Sequence, residues 1–343
     1  MKLISVISIL SIFINTSFAS VNEFVLMKHM NIDIDVFHKF VNFKNKYNKD
    51  YKTYDEIFNS YYNFVDNYNF IKNYNSTTHT LEMNEYSDMS SDQFVNLKRL
   101  SKIFKLQSLK ATRCNEFTST TNSLPESIDW REKAVTSVKD QGQCGSCWSF
   151  SSAGAMEGAH AVATGELLDI SEQQLMDCSW KYGDFGCSGG LMDNAFEYAI
   201  DNGMCLEKDV PYLGENKKCN EMPTCNIVAY FSSCFDVTPN DQVHLKEAVS
   251  FQPVSVAIEA DTRVFQFYSS GIIDSSDCGT QLDHGVLIVG YGEDNGNKYW
   301  IVKNSWGSDW GEDGYVRIAR SENSNDPGIC GIAMQPSYIV SYT

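Results

Sequence analysis

The sequence predicts an α+β protein with two lobes, preceded by a separate helical segment. Three observations carry that prediction. Composition changes near residue 120, helical patterns come first beyond that point, and strand patterns dominate after about residue 250. At 343 residues the chain exceeds one average domain, and 43% hydrophobic content is ample for a packed core.

The first stretch, MKLISVISILSIFINTSFAS, reads as a signal peptide over residues 1–19. Lys2 supplies the positive end, Leu3 to Ile14 an apolar run too short for a spanning helix, and Ser17-Phe18-Ala19 the small residues for cleavage before Ser20. An uncleaved anchor is the alternative. No later stretch is apolar for long enough to span a bilayer, so a soluble protein on the secretory route is expected.

Residues 20–110 are rich in Asn, Lys, Tyr and Phe and contain no Cys or Gly. Phe37, Phe40, Val41 and Phe43 fit one helical stripe; Ile57, Tyr61, Phe64, Tyr68 and Ile71 fit another. An ordinary helical hairpin satisfies both. Thr118 to Ser123, TSTTNS, reads as an exposed, cuttable linker. The domain boundaries expected are 1–19, 20–123 and 124–343.

From Leu124 the helical patterns are Cys147 to Ala163, Ser171 to Met176 and Leu191 to Asp201. Strand patterns succeed them at 254–260, 285–292, 298–306 and 315–320. Residues 1–123 hold 12 acids and 14 bases, and residues 124–343 hold 32 acids and 13 bases, giving formal charges of +2 and −19. The total of −17 argues against nucleic acid as a partner, because phosphate contacts need clustered Lys and Arg.

Eleven cysteines in a secretory chain are mostly disulfides, and the odd number leaves at least one outside an internal bond. Cys144 and Cys147 stand in QGQCGSCW. A redox dithiol would need a strand–CxxC–helix unit inside a small βαβ fold, which the preceding residues do not supply. Half a zinc site would need a second pair at similar spacing, and Cys219 and Cys225 match poorly. A reactive thiol beside a structural one remains. A free thiol is mostly protonated near neutral pH, so the start of a helix and a nearby imidazolium would be needed to stabilise its thiolate.

QGQCGSCW also carries the C-G-S/A-C-W/Y signature of the papain and cathepsin cysteine proteases. That signature expects a His and an Asn far downstream. LDHGVLIVGYG places His284 137 residues after Cys147, and KNSWGSDWGEDGY places Asn304 157 residues after it. From residue 124 to 343 the chain resembles a papain-family protease of the cathepsin L type, and the segment before it resembles that family's inhibitory prosegment. The resemblance implies a papain-like two-lobe fold, a helical lobe facing an antiparallel, barrel-like β lobe, and cysteine endopeptidase activity.

It further implies Cys147 as nucleophile, His284 as its partner, Asn304 as the group that orients the imidazole, and Gln141 as the side-chain donor of the oxyanion hole. Trp306 would shield the His284–Asn304 bond from water. Of the other two histidines after residue 123, His160 falls within the Cys147 helix and reads as a surface or satisfied His, and His244, in DQVHLKEAV, reads as part of a solvated helix. By resemblance Gly189 and Gly190 offer backbone to the substrate. Leu191, Met192, Ala257, Leu282 and Gly285 line the pocket for the residue two before the scissile bond, with Gln335 at its base; apolar walls favour Leu, Val or Phe there. The bonds implied are Cys144–Cys187, Cys178–Cys219, Cys278–Cys330 and, as in some parasite members, Cys205–Cys225, with Cys234 unpaired.

The prosegment frame holds Glu56, Phe64, Asn67, Ile71 and Asn75, with Ser60 where Arg is usual. EMNEYSD keeps Asn84 and Asp88 but has Glu82 for Gly and Tyr86 for Phe. These departures put the prosegment's internal salt bridges in doubt. Asn75-Ser76-Thr77 is a glycosylation sequon. No cofactor and no metal are implied. The partners implied are protein and peptide substrates, the chain's own prosegment as inhibitor, and cystatin-type inhibitors, for a monomer in a lysosome or acidic vacuole, or secreted. Neither a dipeptidase-type insertion nor a C-terminal extension is expected, and endopeptidase is the expected mode. Two other classes stay in view. A dead homologue acting as a binder would lack Cys147, His284 or Gln141, whereas a thiol oxidoreductase would reduce disulfides and leave peptides intact.

Overall fold

A computed structural model describes residues 33–100, 113–120 and 123–343. The expected leader at 1–19, and positions 121–122 of the expected linker, lie outside the described residues. The described chain divides into two compact units, one of residues up to 75 with 83–90, the other of residues 76–82 and from 91 onward.

The first unit is a helical hairpin. Helix α1 (Ile34–Lys46) starts where Asp33 accepts the Asp35 and Val36 amides, and α2 (Tyr54–Asn73) starts at a Thr53–Glu56 capping box. Val36, Phe37, Phe40 and Phe43 of α1 are buried with Tyr61 and Phe64 of α2, and ring pairs such as Phe40–Phe64 and Phe37–Tyr61 meet edge to face. The segment after α2 is tied back by polar groups. Asn67 donates to the carbonyls of Ser87 and Met89, and Asn63 to that of Asp88. The Lys49 ammonium lies 3.1 Å from the Asp88 carboxylate, and the Tyr51 hydroxyl donates to the same carboxylate at 2.8 Å.

In the second unit, β1 (His79–Leu81) is followed by α3 (Ser91–Lys98), β2 (Asn115–Glu116) and β3 (Ile128–Asp129). Helices α4 (Cys147–Thr164), α5 (Glu172–Cys178) and α6 (Met192–Asn202) come next. After β4 (Phe231–Asp236) and α7 (Gln242–Phe251) come the strands β5 (Val254–Ile258), β6 (Tyr268–Ile273), β7 (His284–Asp294), β8 (Asn297–Lys303), β9 (Tyr315–Ala319) and β10 (Ser337–Ser341). The strand order is β1-β6-β9-β8-β7-β5-β10-β4-β2, with β3 on β7. Pairing is antiparallel except for β6 with β9 and β2 with β4.

Helix α4 is buried around most of its circumference, as its run of Ala, Gly and Ser allows. Gly154 lets it close on β7, for a Cβ there would stand 2.7 Å from Leu287 Cδ2. Ser151 donates to the Val286 carbonyl and receives the Ser255 hydroxyl on its own carbonyl. These bonds set the second turn of α4 against β7 and β5.

Three expectations change. Cys234 is not unpaired: it is bonded to Cys114, because β2 lies alongside β4 and brings the two α-carbons to 4.6 Å. The strand expected over 298–306 ends at Lys303, where the Asn304 amide turns to the Gly314 carbonyl and the Ser305 carbonyl receives the Gln141 amide. The helix around His244 is solvated on one face only, since Leu245, Glu247, Ala248 and Val249 are buried.

Candidate active site

Cys147 is the first residue of α4 and is the free cysteine of the chain. The loop before it is fixed by the Cys144–Cys187 disulfide and by the Gly145 amide donating to the Cys187 carbonyl at 3.1 Å. The Cys147 Sγ accepts the backbone N–H of Gly285 at 3.3 Å, so the thiol meets the chain one residue past His284. The other bonds are Cys178–Cys219, Cys205–Cys225 and Cys278–Cys330.

His284 opens β7 and Asn304 comes just after β8. His284 Nε2 lies 2.8 Å from Asn304 Oδ1, which also accepts the Ser305 amide at 2.8 Å. Oδ1 can only accept, so Nε2 carries the proton and Nδ1 holds the lone pair. Nδ1 has no hydrogen-bond partner among the described residues. Trp306, itself buried, stacks obliquely on the imidazole with ring centroids 4.8 Å apart.

Gln141 is fully buried; its Oε1 receives the Ser305 hydroxyl at 2.7 Å, which points Nε2 the other way. Nε2 donates to the Cys144 carbonyl at 2.9 Å and reaches the Lys98 carbonyl at 3.5 Å. Residues of the N-terminal segment therefore lie on the site. Phe94 of α3 is fully buried against Trp306, ring centroids 5.3 Å apart and nearly perpendicular. The Lys98 ammonium is buried 3.6 Å from Asp140 and over the Trp306 ring. The Arg99 carbonyl would be 2.9 Å from a Cβ at Gly145, so the covering chain presses on the loop before Cys147.

Both reacting groups are buried, and burial sets their protonation states. Burial pushes the Cys147 thiol up to about 12, against the opposing pull of the Gly285 amide. Burial pushes the His284 imidazole down to about 4; the Asn304 bond opposes this and the Lys98 ammonium reinforces it. Helix α4 and an imidazolium were expected to stabilise a thiolate; in this closed structure burial favours the neutral thiol.

Met192, Ala257 and Leu282 share one buried cluster with Trp148, and Leu191 packs on it. Met192 Sδ lies 3.2 Å from where a Cβ of Gly285 would stand. Gly190 must be glycine, because a Cβ would come within 2.6 Å of the Trp148 ring and of Asp184 Oδ1. The Gly189 carbonyl accepts the Phe185 amide. Gln335 is half-buried ahead of β10, next to Met334, which packs on the same cluster. Asn75 is exposed at the end of α2. Sequence reasoning missed Phe94 and Lys98. The signal available was a short amphipathic helix just after EMNEYSD, with a cation where the helix turns inward.

Residues 124–340 match the papain family cysteine protease family, and residues 40–94 match the cathepsin propeptide inhibitor domain. Cysteine proteinase RD21A of Arabidopsis thaliana is 47% identical over 285 residues, 82% of this chain and 60% of that protein, so the chain spans less than two thirds of its length. Germination-specific cysteine protease 1 of the same plant is 45% identical over 274 residues, 78% of this chain and 72% of that protein. Among solved structures, the proform of the ragweed pollen cysteine protease Amb a 11 has a TM-score of 0.82 and 36% identity, covering 90% of this chain and 93% of that one. The digestive procathepsin L 3 of Tenebrio molitor larval midgut has a TM-score of 0.77 and 39% identity, covering 89% of this chain and 99% of that one.

Proposed function

The chain belongs to the papain family of cysteine proteases, and we propose that it is an endopeptidase made as an inactive precursor and switched on by loss of its prosegment at acidic pH. The observation that carries this reading is the convergence of the free Cys147, the start of α4 and the His284–Asn304 pair. Once the cover leaves, water and the helix dipole favour charge separation, and the Cys147 proton passes to Nδ1 of His284. The thiolate attacks the scissile carbonyl carbon. The Gln141 amide and the Cys147 backbone N–H receive the developing oxyanion, each such donor contributing about 2.7–4 kcal/mol. The imidazolium then protonates the leaving amine, and with His284 as base, water releases the acyl group and regenerates the thiol.

In the closed form the Gln141 amide already faces the Lys98 carbonyl, and α3 sits on Trp306. This favours intramolecular inhibition by the prosegment. The apolar cluster of Met192, Ala257 and Leu282 favours Leu, Val or Phe two residues before the scissile bond. An acidic vacuole, a lysosome or secretion suits an acid-activated, disulfide-bonded monomer, and cystatin-type proteins would be its inhibitors. The test is hydrolysis of a dipeptidyl fluorogenic substrate bearing Leu or Phe, at pH 5–6, by acid-treated precursor. Turnover abolished by a thiol-alkylating epoxide is expected; disulfide reduction without peptide hydrolysis would reject the reading.

A further inference from the structure

Residues 113–120 lie between the helix that covers the site and the start of the expected mature chain, yet the second unit holds them at four places. Cys114 is bonded to Cys234, which is almost fully buried in β4. Strand β2 pairs in parallel with β4, and the Phe117 amide extends the ladder to the Asp236 carbonyl at 2.9 Å. The guanidinium of Arg113 forks onto Asp201 of α6 at 2.8 and 3.1 Å. The buried carboxylate of Glu247 in α7 accepts the Ser119 hydroxyl at 2.6 Å and the Thr120 amide at 2.8 Å. Phe117 meanwhile packs against the rings of His244 and Tyr338.

We propose that residues 113–120 are a permanent N-terminal strand of the active enzyme, and that the cut which frees the cleft falls on the N-terminal side of Cys114. This rests on the precursor reading above. A chain starting near Leu124 would lose the disulfide, leave β4 as a bare edge, and strip Glu247 of two donors. A cut confined to Thr120–Leu124 has a different consequence. Helix α3 then remains joined, through the chain up to Cys114, to Cys234 of the enzyme. A tether of this kind holds the cover at a local concentration on the order of millimolar, enough for a weak inhibitor to stay bound. Such a nicked molecule is latent. It opens only by a second cut before Cys114, or when a dithiol reductant supplies two electrons and two protons to the Cys114–Cys234 bond and is itself oxidised to a disulfide.

The experiment uses full-length precursor carrying Cys147→Ser, so that it cannot cut itself, with Thr121 and Asn122 replaced by the recognition sequence of an unrelated site-specific protease. After that cut, denaturing electrophoresis without reductant is expected to show one full-length species, and with reductant two. Adding Cys114→Ser should yield two species with no reductant. Acid-converted wild type, sequenced from its N-terminus, should begin before Cys114. Two species from the unreduced Cys147→Ser chain, or a fully active enzyme beginning at 121–124, would overturn the proposal. Independently of how the Cys114 variant folds, a digest of unreduced wild type must contain the Cys114–Cys234 cross-linked peptide, and its absence is equally fatal. A chain without peptidase activity in any form would defeat the proposed function, yet leave the electrophoretic result to stand or fall alone.

Discussion

Phe94 meets Trp306 edge to face, with ring centroids 5.3 Å apart and planes at 86°. The same indole stacks obliquely on the imidazole of His284, at 4.8 Å. One aromatic residue thus joins the covering helix to the group expected to carry the proton. Replacing Phe94 with Ala removes a fully buried ring, which in a core costs about 3–5 kcal/mol. The precursor should then show substrate turnover before processing and convert faster at acid pH. Comparing initial rates of wild-type and Phe94→Ala precursors checks this, and equal latency would show that α3 is not the hold.

The neutral pair makes a prediction about thiol chemistry. With the thiol near 12, Cys147 holds almost no thiolate at pH 7 in the precursor, and each pKa unit is about a factor of ten in thiolate. Carboxamidomethylation of Cys147 should be well over tenfold faster in the converted enzyme. Equal rates would contradict the desolvated state.

The imidazole has an acid limb of its own. His284 sits near 4 in the fold against an ordinary 6.5, so between those values the unfolded chain binds the extra proton. Stability from the neutral ring is complete above about pH 6.5 and is lost as pH falls toward 4. The closed precursor should loosen over that window, and a His284→Asn precursor should lose part of the dependence. Hydrogen exchange of residues 91–98 across pH 4–7 is the measurement.

Asp184 has the opposite sign. Burial raises its carboxyl to about 7 from an ordinary 3.8, although Leu191 and Asn194 donate to it. The folded chain holds a proton that the unfolded chain has released, so stability present below about pH 4 declines as pH rises through 7. Asp184→Asn, which needs no proton, should have a thermal midpoint near wild type at pH 4.5 and a growing advantage by pH 8. A gap that does not change with pH would refute the assignment.

The two neighbouring cysteines should separate cleanly. Cys147→Ser should fold with its five disulfides intact and lose nearly all turnover, because a hydroxyl is far less acidic than a thiol. Cys144→Ser should lose about 2–5 kcal/mol of stability with the loss of its bond to Cys187. Denaturant titration alongside active-site titration distinguishes the two, and a fully stable Cys144 variant would reject the staple.

Much of this was legible in the chain itself. Local patterning fixes helices, so the stripe from Phe37 to Phe43 and the small-residue run of α4 could be read from spacing alone. The motif around Cys147, the block after His284 and the block after Asn304 named the candidate site by resemblance, since short motifs travel with the chemistry they serve. What the sequence could not decide are relations between residues far apart along the chain. Cys114 and Cys234 are 120 positions apart, and nothing local says that β2 will lie beside β4. Lys49 and Tyr51 meet Asp88 only because the chain some forty residues on folds back to them. The protonation of Cys147 and His284 depends on burial, and for His284 also on the charge of Lys98, more than 180 residues before it. Periodicity and motif are properties of neighbours in sequence; desolvation and pairing are properties of neighbours in space, and only the folded chain sets them.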